Sequence, residues 1–294
     1  MATCHHPSRV GIRRKSVFGN RRIAYTQVVP CGSCLGCRAE QARQWMVRMM
    51  HESEMHDHAW FVTLTYNDEA LPENGSLRPK DLSLFLKALR REFGRGISFY
   101  GCGEYGESTK RAHYHAVLFG VEFLDRYRDP DPRRDGIWRS ETLERLWGRG
   151  ITEFGTVTYG SCSYVAGYVR KKVGEDGRNT AYVNPLTGEV LVAPFARMSL
   201  RPAIGRRWIE RYWKDVYPRD FVVVNGVEAK PPRYYDKFMD LEDDKGGTHE
   251  RRMIMEAVRE KRWSEMVEYD KYTLNAKEEI AKARINLHEQ RDAV

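Results

Sequence analysis

The chain of 294 residues is long enough for one large domain or a domain with additions, and its 41% hydrophobic residues permit a packed core. Charged residues make up 31%, above the usual share of about 25%, and the net charge of +8 favours an anionic partner, nucleic acid first. No apolar run is long enough to cross a bilayer, and the N-terminus lacks the apolar core of a secretion signal, so no membrane partner and a cytoplasmic setting are expected. In a reducing compartment the six cysteines are expected as thiols or metal ligands rather than disulfides.

Residues 1–37, rich in Arg, Cys and Gly, suggest neither a long helix nor a long strand. Over 36–56, Ala39, Ala42, Trp45, Met46, Met49, Met50 and Met55 form a stripe at helical spacing. Residues 60–66 (WFVTLTY) are β-branched and aromatic and predict a strand. Pro79, Lys80 and Asp81 open a helix with Leu82, Phe85, Leu86, Leu89 and Phe93 on one face, ended by Gly94 and Gly96. Residues 97–104 and 113–119 predict a hairpin, its second strand internal to a sheet because both faces are bulky or apolar. Residues 121–139 read as a loop, 141–147 as a short helix and 152–158 as a strand. Ser161 or Ser163 can cap a helix running to about Lys172. A loop over 174–184, a helix over 206–213 and a short strand over 221–224 follow, and from Asp240 the charge density predicts one or two loosely held surface helices. This order implies an α+β fold with a central, largely antiparallel sheet flanked by helices. Three parts are expected: a Cys- and Arg-rich segment (1–40), a main domain (41–217) and a charged, mostly helical extension (218–294).

On a strand, alternate side chains share a face, so His113 and His115 project together and Tyr114 projects the other way. Two neutral imidazoles make two metal ligands, although such a triplet alone is more often structural. Glu104, on the strand expected to pair with them, can complete a set suited to Mg²⁺ or Mn²⁺. The competing reading is an ion pair from Glu104 to Arg111. Tyr164 and Tyr168, four residues apart, share a helix face that Lys171 and Lys172 continue. Two phenols and two ammoniums fit a phosphate-handling site; the alternative is packed rings with snorkelling lysines.

Cys31, Cys34 and Cys37 are spaced two residues apart, and with Cys4 they can form a four-ligand shell. Zinc is the first expectation, an iron–sulfur cluster the second, and reduced thiols in a turn the alternative. Cys102 and Cys162 are isolated and expected as small buried hydrophobes. Arg9, Arg13, Arg14, Lys15, Arg21 and Arg22 make a basic arm, and Arg90, Arg91 and Arg95 a patch at a helix end. Arg206, Arg207, Trp208, Arg211, Tyr212 and Trp213 interleave cations with rings, as suits single-stranded DNA. Each group can equally be an ordinary solvated face.

The His pair after a Glu-bearing strand, followed by the two-tyrosine helix with its lysines, resembles the HUH endonuclease superfamily. Within it the chain is most similar to replication initiators of small single-stranded DNA phages, the microviruses, with the gokushovirus branch nearest. The resemblance rests on PCGSCLGCR (30–38), FVTLTY (61–66), GEYG (103–106), HYH (113–115) and YVAGYVRKK (164–172), and covers about residues 1–215. It implies that 41–217 form a nicking endonuclease domain. A tyrosine would attack a DNA phosphate at a viral origin and become joined to the new 5′ end. The free 3′ hydroxyl would prime rolling-circle synthesis by host replication machinery, and a second tyrosine would end the cycle. By this resemblance His113 and His115 hold the metal with Glu104 as third ligand, Tyr164 and Tyr168 are the nucleophiles, and Lys171 or Lys172 assists. Tyr168, nearer the lysines, is expected to cut first. There are departures from the pattern. Tyr114 is aromatic where an aliphatic residue is also common, and Gly167 costs the helix roughly 1 kcal/mol relative to alanine. Alternatives are a plasmid initiator, relaxase or transposase of the same superfamily, a metal-dependent hydrolase with water as nucleophile, and a catalytically silent DNA-binding protein.

Overall fold

The computed structural model describes residues 4–15, 22–106, 109–171, 182–184, 187–240, 248–265 and 269–292. A hairpin of β1 (Ser8–Lys15) and β2 (Arg22–Val29) precedes α1 (Leu35–Ser53) and β3 (Ala59–Thr65). Then come α2 (Pro79–Phe93), β4 (Ser98–Tyr105), β5 (Ala112–Phe119), β6 (Tyr127–Arg128), β7 (Trp138–Arg139), α3 (Glu141–Trp147), β8 (Thr152–Thr156) and α4 (Tyr159–Lys171). The remainder comprises β9 (Tyr182–Val183), β10 (Val190–Leu191), β11 (Phe195–Met198), α5 (Arg206–Val216), β12 (Val222–Val224), β13 (Val227–Ala229), α6 (Arg233–Asp240), α7 (Thr248–Ser264) and α8 (Lys271–Asp292). No helix among the described residues is long and apolar enough to cross a membrane.

Seven strands form one sheet in the order β11-β4-β5-β3-β8-β7-β6, antiparallel throughout. The fold is therefore α+β with a central antiparallel sheet, as expected. Strand alternation sorts the side chains of β5 between two cores. Tyr114, Ala116 and Leu118 pack on the side of α2 and α3, with Leu82, Phe85, Leu86, Leu89, Leu143 and Trp147. Val117 and Phe119 pack on the other side with α1, α4 and α5, through Met46, Val47, Met49, Val165 and Ile209. Burying each large side chain contributes roughly 1.5–3 kcal/mol, so both faces hold β5 firmly.

α4 begins at Tyr159, earlier than a cap at Ser161 or Ser163 predicts. Thr158 and Ser161 form a reciprocal box: the Ser161 amide donates to Thr158 Oγ1 at 3.1 Å, and the Thr158 amide donates to Ser161 Oγ at 2.8 Å. The expected loop over 121–139 contributes β6 and β7 to the sheet, and the opening segment carries the β1–β2 hairpin. Beyond residue 217 the chain is less loosely held than its charge suggests. Phe238, Met239, Met255 and Val258 join the core of α1 and α4, and Arg262 pairs with both Asp220 and Asp236.

Candidate active site

Register brings the expected site together. β4 and β5 pair with Glu104 opposite His113, and β3 pairs with β5 with Thr63 opposite His115. Glu104 Oε1 lies 2.9 Å from the Nε2 atoms of both His113 and His115. The outer nitrogens are anchored. His113 Nδ1 lies 3.0 Å from the Arg111 carbonyl, which only accepts, so this nitrogen carries the proton. His115 Nδ1 lies 3.1 Å from Thr63 Oγ1, and Phe61 stacks on the His115 ring with centroids 5.3 Å apart. Arg111 turns to Asp68 at 2.8 Å and to the Tyr66 carbonyl, so the ion pair with Glu104 does not form.

Tyr114, between the histidines, faces the opposite layer. Its hydroxyl donates to the Arg78 carbonyl at 3.0 Å, accepts the Arg78 amide at 2.9 Å and lies 2.7 Å from the Tyr66 hydroxyl, which donates to Asp81. The strand that bears the histidines is thereby pinned from behind.

Burial opposes charge on both imidazoles. At His113 the hydrogen bonds to Glu104 and the Arg111 carbonyl outweigh it and raise the pKa. At His115 burial prevails, helped by the neighbouring His113 charge, and the pKa is lowered. One imidazolium beside one carboxylate balances the pocket without a metal. A cation can take the proton's place, because two nitrogens and a carboxylate oxygen all lie within 4.8 Å of one another. Anchored outer nitrogens are what metal-binding histidines need. The residues thus fit a divalent ion.

α4 brings Tyr164 to the same place. Its hydroxyl donates to Glu104 Oε1 at 3.0 Å, its ring meets His115 and Phe61 edge-on, and the side chain is 48% exposed. Cys162, Val165 and Ala166 bury the opposite face of the helix. Tyr168 and Lys171 lie further along α4, but their side chains, like those of Arg13 and Arg14 on β1, are outside the described part, and Lys172 lies outside the described residues. Cys102 and Cys162 are buried, as expected.

A second group converges where the β1–β2 hairpin meets α1. The sulfurs of Cys4, Cys31, Cys34 and Cys37 lie within 4.8 Å of one another, with Cys31–Cys37 at 4.0 Å and Cys4–Cys34 at 3.9 Å. Backbone amides point at three of them: Cys31 to Cys4 Sγ at 3.2 Å, Cys34 to Cys31 Sγ at 3.3 Å and His5 to Cys34 Sγ at 3.3 Å. Burial raises the Cys31 thiol, yet the Cys34 and Ser33 amides and the Ser33 hydroxyl outweigh it and bring it down to about 6.

One expectation is corrected. Trp208 is only 8% exposed, its ring stacks on His51 at 3.6 Å and its Nε1 donates to Glu54 at 2.7 Å, so it presents no face to a base. Arg206 pairs with Glu210 at 2.6 Å and covers the Phe238 ring. Arg207 instead lines a cleft at the far end of the sheet.

A family model for replication-associated proteins of the ORF2 kind matches residues 59–173. Replication-associated protein VP4 of Bdellovibrio phage phiMH2K is 33% identical over 253 residues, covering 79% of this chain and 75% of its own. The chain belongs to the phage replication-associated proteins. Within this family, replication-associated protein ORF2 of Spiroplasma virus 4 is also 33% identical, over 76% of this chain and 71% of its own. Replication-associated protein ORF4 of Chlamydia phage 1 is 29% identical over 70% of this chain and 52% of its own. No solved structure matches. The span matched by the replication-associated model runs from β3 to just beyond α4. It contains Glu104, His113, His115, Tyr164 and Tyr168 and leaves all four clustered cysteines outside.

Proposed function

We propose that this replication-associated protein is an HUH-type endonuclease that nicks and rejoins single-stranded DNA to start rolling-circle replication at a phage origin in the host cytoplasm. The observation that carries the reading is the Tyr164 hydroxyl 3.0 Å from a carboxylate oxygen that also faces both histidines. Tyr164 Oη attacks the phosphorus of a DNA phosphodiester, with its proton facing Glu104 Oε1. The bond from phosphorus to the 3′ oxygen breaks, that oxygen takes up a proton, and the 5′ end stays joined to the tyrosine. Host polymerase extends the 3′ hydroxyl. An ion held by Glu104, His113 and His115, with a donor set suited to Mg²⁺ or Mn²⁺, would polarise the scissile phosphate and favour the phenolate. Lys171 or Lys172, further along α4, steadies the phosphate charge.

The geometry favours Tyr164 for the first cut, in place of Tyr168 as the lysines alone suggest. Tyr168, one helical turn on, then receives the strand at termination. The test is incubation with single-stranded viral DNA and Mn²⁺ followed by a denaturing gel. A covalent protein–DNA adduct is expected; cleaved DNA without an adduct would make water the nucleophile and overturn the reading.

Thr63 acts through His115. Thr63→Val keeps the shape and removes the hydroxyl, and Mn²⁺ affinity is expected to fall about 10–100-fold, as for other outer partners of metal ligands. Unchanged affinity in a Mn²⁺ titration would leave Thr63 a packing role only.

The cysteine group is proposed as a structural zinc site. A regular tetrahedron with zinc–sulfur bonds of about 2.3 Å has edges of about 3.8 Å, close to the sulfur spacings here. Sulfurs this close leave room for one ion and none for a cluster of several irons. Protein purified without chelator is expected to carry about one zinc per chain, lost in Cys31→Ser. Elemental analysis that finds no zinc in the wild type would return the group to reduced thiols.

A further inference from the structure

At the end of the sheet remote from Glu104 lies a cleft of about 590 Å³ lined by Arg90, Arg91, Arg95, Arg201 and Arg207. None of its lining residues is acidic. Among the described residues, none of the five arginines has a carboxylate partner. Elsewhere arginines are neutralised: Arg43 by Glu40, Arg139 by Asp129 and Arg262 by Asp236. The helix dipole accounts for only part of the cluster. Arg90 and Arg91 sit in the last turn of α2, where positive charge gains about 0.3–1 kcal/mol. Arg207 sits in the first turn of α5, which carries no acidic residue and no side-chain cap, so the dipole there opposes it. A helix N-terminus flanked by unpaired guanidiniums is a site for an anion.

The cleft is also built rather than incidental. The loop that brings Arg201 and Arg207 to it is fastened from inside the core. The buried Glu52 carboxylate accepts the Gly205 amide at 2.7 Å, and the buried Arg48 Nε donates to the Ile204 carbonyl at 3.0 Å. Ser199 fixes its other end, exchanging bonds with Phe99 at 2.9 and 3.0 Å. From Glu104 to Ser98 at the cleft is six residues of β4, about 20 Å at roughly 3.3 Å per residue. Edge strand β11 runs beside β4 over this distance, with Phe195 opposite Gly103 and Met198 opposite Tyr100, and it carries the exposed Arg197 midway.

We infer that the five-arginine cleft is a second, sequence-independent site for the phosphate backbone of single-stranded DNA, holding the strand about 20 Å from the Glu104–His113–His115 group. The inference rests on the protein acting on single-stranded DNA; its test needs no cleavage, so failure of the nicking chemistry reads out separately. Arg201 and Arg95 are exposed and Arg207 is half-buried, so replacing them opens no core.

The experiment measures binding of fluorescent oligothymidylates of about 5 to about 30 nucleotides by anisotropy in EDTA, at several salt concentrations, for wild type and the triple variant Arg95→Ala/Arg201→Ala/Arg207→Ala. Wild-type affinity is expected to rise once the oligonucleotide spans both sites. The variant is expected to lose about tenfold or more on long oligonucleotides and nothing on the shortest. Its slope of log affinity against log salt should become shallower by about 2, from three lost phosphate contacts at about 0.7 each. The corresponding triple lysine variant should keep most of that slope. Wild-type slope and affinity in the alanine variant would overturn the inference. So would an equal loss with lysine, which would assign the arginines a structural role, or stronger loss on duplex than on single strands.

Discussion

A double variant, Tyr164→Phe with Tyr168→Phe, is expected to form no covalent DNA adduct while folding and binding DNA as the wild type does. Phenylalanine keeps the ring that meets His115 and Phe61 edge-on and removes only the attacking oxygen. The hydrogen bond lost at Glu104 is worth about 0.5–1.5 kcal/mol, and the half-exposed position softens it further. Chemistry, by contrast, loses its nucleophile outright. Tyr164→Phe alone should cut the first adduct to whatever Tyr168 can reach after a shift of the helix. Tyr168→Phe should leave a single cut largely intact and fail at circle closure, where two nucleophiles alternate. The reverse pattern would give the first cut to Tyr168. An adduct in the double variant would move the nucleophile elsewhere, with exposed Tyr159 at the start of α4 next in line.

His113→Ala and His115→Ala should each bring nicking below about 1% of wild type, since even outer partners of metal ligands cost about 10–100-fold. Excess EDTA should do the same to the wild type, and added Mn²⁺ should restore it. Glu104→Gln is expected to be as damaging as either histidine, because Glu104 Oε1 is the one atom facing both imidazoles and the phenol. Nicking at the wild-type rate in His113→Ala, or activity untouched by EDTA, would remove the metal from the reading. Melting temperatures measured alongside separate a lost ligand from a lost fold.

Much of the site was legible because strand alternation is a strict rule. Residues 113 and 115 had to share a face, and Glu104 had to approach them if 97–104 and 113–119 formed a hairpin. The cysteine spacing was legible for a similar local reason. Thr63 and Phe61 were not, because their roles depend on which strand lies on the other side of β5, and no local pattern reports that. Strand β11 was missed because four residues (FARM) carry too little periodicity to announce an edge. Trp208 misled because a ring between arginines reads as a stacking platform, while the deciding fact was the helix face turned toward His51. The β1–β2 hairpin stayed hidden because its Arg- and Gly-rich strands lack the apolar alternation of a half-buried sheet.

The two faces of β5 answer to different masters. Positions 113 and 115 serve the reacting phosphate, whereas position 114 serves only the layer of Tyr66, Asp81 and Arg78 behind it. Random drift can therefore trade the middle residue between aromatic and aliphatic forms, provided the partners behind it change in step, without disturbing the chemistry in front. A designer could exploit the same independence. The rear layer can be rebuilt for thermal endurance while the front keeps its cutting geometry, because one strand separates the two tasks by the width of its own backbone.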